Sequence, residues 1–149
     1  MKLLLWVPCE KVIYDAQSGH SLIAIFHGAI IKIVKQELPN NAVIPREWSV
    51  FTKWALEPSE EGKDYTSHVE ILWPDGSKFT EFNAKAVPPT KNGMAFISRL
   101  NGFPIGQNGN VKIRQSLSSG DEVVYGPVEM DVLIDVTQDL DVDKLPTLN

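Results

Sequence analysis

The side chains able to do chemistry are few in this chain, and none stands at a recognised catalytic spacing. There are three histidines, His20, His27 and His68, and a single cysteine, Cys9. His20 and His27 fall at opposite ends of one expected strand, with no carboxylate at a motif distance. A metal trio would need a tertiary coincidence, so they read as ordinary strand-end histidines. A nucleophilic Cys9 would need an activating base or a helix N-terminus, and no helix is expected near it. It reads as a structural cysteine. No Gly-x-Ser-x-Gly elbow, Walker loop or dinucleotide glycine fingerprint occurs. Asp139, Asp141 and Asp143 alternate, and three carboxylates on one side of an extended chain could hold Ca²⁺. No glycine-turned loop accompanies them and Lys144 follows, so the segment reads as a solvated acidic tail without a metal. Trp6, Trp48, Trp54 and Trp73 could form a sugar-stacking platform. Trp48, Trp54 and Trp73 lie in phase with apolar strand faces, and core packing explains them more cheaply. No catalytic, cofactor-binding or metal residue is expected, and the chain reads as a non-enzyme.

One loop carries a candidate binding surface. Asn101–Asn110 presents Phe103, Pro104 and Ile105 among Gly102 and Gly106. Apolar residues on such a loop either fold under as a plug on the core or point outward as a partner-binding tip with Phe103 as anchor. The plug is the cheaper of the two. A second long connection is expected over Lys35–Arg46.

The elements that must hold these residues are strands. Short apolar alternations recur between turns rich in Gly, Pro and Asn, and no window shows a better period of 3.6. Leu3–Val7 and Lys11–Tyr14 flank Pro8, which suits an edge strand or two short pieces. Ser21–Phe26 and Ala29–Val34 read as one long strand kinked at Gly28 or as two paired strands. Tyr65–Trp73, the turn Pro74-Asp75-Gly76 and Lys78–Ala86 form the clearest hairpin. Val87–Gly93 reads as a loop, and Asn101–Asn110 as a long hairpin connection. Val128–Val136 alternates most regularly. The expected fold is an all-β, two-sheet antiparallel β-sandwich, immunoglobulin-like or a related Greek key, over residues 1–137, with a polar tail at 138–149. Trp48, Val50, Trp54, Val69, Ile71, Phe96, Ile113, Val132 and Ile134 should fill its core.

Bulk properties narrow the partners. At 149 residues the chain has the length of one domain that can build its own core. One cysteine permits no internal disulfide, which suits a reducing compartment. Residues 121–149 carry eight acids against Lys144 alone, a local charge of −7, so the first 120 residues sum to +2 within a total of −5. No basic stripe exists for phosphates, and nucleic acid is not an expected partner. The apolar run at the N-terminus is too short for a signal peptide and meets Glu10-Lys11 at once, so a cytoplasmic protein is expected. No apolar run is long enough to span a membrane, and none is expected as a partner.

Several short motifs carry a resemblance. Pro8-Cys9-Glu10-Lys11-Val12-Ile13, Phe51-x-x-Trp54, Glu57-Pro58-x-Glu60-Glu61-Gly62, Trp73-Pro74-Asp75-Gly76 and Gly102-Phe103-Pro104-Ile105-Gly106 resemble those of a family of short bacterial all-β proteins with no assigned activity. The likeness runs over most of residues 5–136. It implies a stand-alone sandwich of bacterial or phage origin, and it carries no functional residue over. The function expected is a non-enzymatic interaction module that binds a protein partner or itself. A structural component of a phage particle or similar assembly is the first alternative, and a carbohydrate-binding module the second.

Overall fold

The computed structural model describes residues 1–15, 19–34, 38–60, 62–90 and 93–139. The chain forms β1 (Lys2–Asp15), β2 (Gly19–Ile25), β3 (Gly28–Val34), β4 (Val43–Ala55), β5 (Thr66–Leu72), β6 (Lys78–Thr90), β7 (Gly93–Pro104), β8 (Gly109–Ser119) and β9 (Glu122–Asp139). A short 3-10 turn, Pro58–Glu60, follows β4. The fold is all-β. The strands lie in the order β2-β1-β4-β7-β6-β5-β8-β9-β3, in one sheet that curls into a half-barrel.

Two features differ from a pair of separate antiparallel sheets. First, the hydrogen bonding is continuous, because β6 belongs to both halves. Its Lys78–Lys85 segment pairs with β5, and its Ala86–Thr90 segment pairs with β7. The stretch expected to be a loop from Val87 is therefore strand as far as Thr90. The β6–β7 ladder shifts between Val87 and Thr90, where Pro88 and Pro89 have no N–H to give. Second, β3 runs parallel to β9, with Gly28 opposite Leu133 and Val34 opposite Asp139. β2 instead pairs antiparallel with β1. The two strands expected to be paired or continuous thus occupy opposite edges of the sheet, joined by Phe26 and His27 alone.

β1 is one strand despite Pro8. It changes partner at Cys9: Lys2–Cys9 lies along β4, and Cys9–Asp15 along β2. The hairpin expected at Pro74-Asp75-Gly76 is present between β5 and β6. Gly76 N donates to Trp73 O at 2.9 Å, and Asp75 Oδ1 accepts from Ser77 N and from Ser77 Oγ. Gly76 has φ 84°, a left-handed conformation that glycine adopts without a Cβ clash. The 101–110 segment is not a hairpin connection. β7 pairs with β4 and β6, and β8 pairs with β5 and β9, so the segment crosses from one half of the sheet to the other.

All nine expected core residues are buried. They fall into two clusters on the concave side. Trp48, Val50, Val69, Ile71, Ile113, Val132 and Ile134 belong to the larger, while Trp54 and Phe96 belong to the smaller with Leu117 and Met94. Between the two clusters lies a layer of polar side chains, which the alternation places at matching levels of their strands. Thr52 Oγ1 donates to Gln115 Oε1 at 3.0 Å, and Gln115 Nε2 donates to Ser67 Oγ at 2.6 Å. All three are at most 1% exposed. A third cluster sits on the other side of β4, where Phe51 and Ala95 pack with Cys9 and Val12 of the β1–β2 hairpin and with Leu22. His20 lies over Phe51, with ring centroids 5.0 Å apart.

Candidate functional site

The place where the two sheet edges meet is the most unusual surface of the molecule. β2 ends at Ile25 and β3 starts at Gly28, so the junction needs only two residues. Both are tied by backbone hydrogen bonds: Phe26 N donates to Pro8 O, and His27 O accepts from Leu133 N, each at 3.2 Å. Ala24, just before the junction, has φ 52°. A residue with a Cβ is strained in that region, and such strain gathers at working surfaces. Gly28 approaches β9 so closely that a Cβ there would lie 2.7 Å from Leu133 O.

An apolar cleft of about 240 Å³ opens at this seam. Phe26, Ile44 and Phe103 line it below, and Ile25, Ala29 and Ile30 line its rim. The rim is exposed: Ile30 at 74% and Ile25 at 49%, with Leu133 at 53% and Ile23 at 43% alongside. The ion pair between Arg46 and Glu10 separates the cleft from a wider, polar groove of about 730 Å³. Lys11, Arg46, Glu47 and Arg99 rim that groove over Ser49 and Leu100.

The structure places the candidate binding loop beneath this cleft. Phe103 and Ile105 are each 4% exposed, and Pro104 is buried with them. The outward tip of the sequence reading is thereby corrected: Phe103 is packed edge-on against Trp48 (5.4 Å between centroids) and Phe26 (5.9 Å). The loop is drawn under by its own backbone. Trp48 Nε1 donates to Gly102 O at 2.9 Å, and Ile105 N donates to Ala42 O at 2.9 Å. A side chain at Gly106 would strike the backbone of Pro39 and Asn40, so this position requires the bare glycine. Gln107 then bridges the turns, accepting from Asp75 N and donating to Asn40 O and Asp75 Oδ2.

The remaining chemical candidates stay apart. Cys9 is fully buried, and desolvation holds its thiol pKa above the ordinary value. That keeps it protonated and disfavours a nucleophilic role. Desolvation, and then the charge of Lys53, lower the His20 pKa. His68 pairs with Asn83 on the opposite half of the sheet. No group of three His, Cys, Asp or Glu side chains among the described residues could hold a metal ion. Of the acidic triad, Asp139 ends β9, and Asp141 and Asp143 lie outside the described residues, as does most of the expected 138–149 tail. Trp48, Trp54 and Trp73 are at most 6% exposed, and Trp6 packs against the larger cluster, so the four indoles do not form an outward platform. Among the described residues no helix is long and apolar enough to cross a membrane.

Sequence reasoning pointed to Phe103 and missed Ile25 and Ile30. A signal for them exists in the chain: Gly19–Val34 contains no Asp, Glu or Pro, and Lys32 is its single formal charge. No protein-family model matches the chain, and no curated protein matches it.

Proposed function

We propose that the protein is a non-enzymatic interaction module, a sandwich-like scaffold whose working surface is the seam between β2 and β3. The observation that carries this reading is the state of the two edges. A sheet edge offers unpaired backbone N–H and C=O groups, and proteins ordinarily blunt it with charge, proline or a covering segment. Here the two outermost strands, β2 and β3, come from one stretch without acid or proline, flanked by exposed isoleucines and an apolar cleft. Such an edge suits the addition of an extended strand: its backbone supplies hydrogen bonds and the cleft accepts a side chain. Phe103 then acts as the floor that receives a partner's side chain.

The reading includes a component of a phage particle or similar assembly, in which strand addition joins subunits. It also keeps a cytoplasmic site of action and the likeness to short bacterial proteins as proposals. Panning a displayed library of twelve-residue random peptides against the purified protein tests it. Apolar, β-branched peptides should be enriched, and their binding should vanish in Ile25→Lys and Ile30→Lys. Failure to enrich any peptide, or retention of binding by both variants, would count against the seam.

A further inference from the structure

We infer that the occupant of the seam is an extended peptide carrying a large apolar side chain and, two residues away, an Asp or Glu. The apolar side chain enters the cleft between Ile25, Ile30 and Phe103, and the carboxylate lies over the adjoining polar groove, on Arg99 and Lys11. The inference rests on the seam being the working surface and adds the chemistry of its occupant.

The two hollows are neighbours. Glu10 and Arg46 line both, and their ion pair is the wall between them. Residues two apart on an extended chain point to the same face and lie about 6.6 Å from one another. One such step carries a peptide from the cleft across a single ion pair into the groove.

Charge is divided across the cleft. On one side β9 presents Asp131 and Asp135, both exposed, with Asp135 opposite Ile30 in the ladder. On the other side the groove holds three cations, Lys11, Arg46 and Arg99, against two acids, Glu10 and Glu47, a sum of +1 in a chain of −5. Arg46 is committed to Glu10. Lys11 and Arg99 are exposed and form no ion pair with any described residue. Glu47 stands opposite Asn101, two residues along β4 from Ser49, which is opposite Arg99. It offsets one of the two free cations and leaves a positive charge unmet. On the convex side of β5–β8–β9, by contrast, Lys112 and Arg114 each meet an acid. A peptide carboxylate supplies what the groove lacks. Arg99 suits it, because a planar guanidinium can donate two parallel hydrogen bonds to one carboxylate. The β9 acids repel a carboxylate placed on their side, so the acid of the peptide belongs over the groove.

The peptides enriched by panning on the wild type supply the probe. Asp or Glu should stand two positions from a large apolar residue in them more often than Lys or Arg does. A fluorescent copy of one such peptide, titrated at low salt, should bind about fivefold more weakly when its acid is changed to the amide, the scale of one ion pair at a partly exposed site. Arg99→Gln should lose the same factor towards the acidic peptide and nothing further towards the amide peptide, which marks the two groups as partners. Both losses should fade at about 1 M salt, where exposed charges are screened. Arg99 is exposed, so the melt of Arg99→Gln should overlay the wild type. Enriched peptides without an excess of acids overturn the inference and leave the seam standing, and so does an amide peptide that binds as well as the acidic one. An acid whose loss costs as much in Arg99→Gln as in wild type contacts another cation, such as Lys32 on β3, and overturns the assignment to the groove. If no peptide is enriched at all, the seam falls and this inference with it.

Discussion

The convex side of β5–β8–β9 and the seam at β2–β3 are parts of one sheet and obey the same alternation, but their outward positions are filled in opposite ways. On the first, charges of opposite sign face one another across the strands. Glu70, Arg114 and Glu129 share a register row, and Arg114 Nε donates to Glu129 at 2.6 Å while Nη1 reaches Glu70 at 3.5 Å. Lys112 lies 3.5 Å from Glu129 and 3.9 Å from Asp131, and Lys78 of the neighbouring β6 lies 3.7 Å from Glu70. At the seam the outward positions are Ile23, Ile25 and Ile30. On the charged side β5 and β8 are paired on both sides, β9 pairs there with β8, and the charged groups satisfy one another. The seam has unpaired edges and unsatisfied apolar area. Alternation buries one face of a strand and leaves the residue types on the other face to decide whether that face meets water or a partner.

Stability measurements should rank substitutions by how far each reaches from the seam into the shared core. Phe103→Ala should have the largest effect, a loss of about 3–5 kcal/mol in urea unfolding, because it empties a buried site between Trp48 and Phe26. A loss below about 1 kcal/mol, the range of ordinary surface changes, would mean that Phe103 does not support the cleft.

Gln115→Ala comes next. It leaves the Thr52 and Ser67 hydroxyls buried without their shared partner, at a cost of about 2 kcal/mol. Here Thr52→Val combined with Ser67→Ala and Gln115→Leu should recover much of the loss, since apolar replacement removes the unmet groups along with their partner. A triple variant less stable than Gln115→Ala would argue that the polar layer does more than satisfy itself.

The charged side should respond weakly. Arg114→Ala breaks exposed ion pairs that contribute little, and its melt in neutral buffer should nearly overlay the wild type. What difference there is should close in acid. Hydrogen bonding to Arg114, and then its charge, lower the Glu129 pKa, and Lys78 does the same for Glu81. A carboxylate with a depressed folded pKa contributes stability that is present above its unfolded value, near 4.3, and is lost as pH falls through the folded value. Wild type should therefore lose stability over that acid window more steeply than Arg114→Ala. Parallel acid limbs for the two proteins would remove the ladder from the account.

The sequence discloses faces much better than neighbours. A period of two placed Trp48, Val69 and Ile113 inside, and Pro74-Asp75-Gly76 announced its turn through local chemistry that needs no tertiary partner. Periodicity carries no information on which strand lies beside which. Nothing local says that Gly28 meets Leu133 in parallel, or that β2 and β3, two residues apart, sit on opposite edges. Pro88-Pro89 misled because proline was weighed as a loop residue, while a ladder that shifts by skipping those residues accommodates them. The Phe103 loop was legible as a choice between plug and tip, and a contact distant in sequence decided it: Gly106 against the backbone of Asn40, 66 positions earlier. The seam was legible only in what Gly19–Val34 lacks, and an absence of charge becomes meaningful once those residues are known to form edges.

The central claim, that the seam and not the charged side is the working surface, is tested most directly by one set of titrations. A fluorescent copy of the best peptide from the panning is titrated with wild type, Ile30→Lys and Arg114→Ala, and anisotropy is read at equilibrium. Both substituted residues are solvent-facing, so neither variant should lose its fold. The account predicts wild-type affinity in Arg114→Ala and a loss of at least tenfold, about 1.4 kcal/mol, in Ile30→Lys. Binding that survives Ile30→Lys and falls in Arg114→Ala would contradict it.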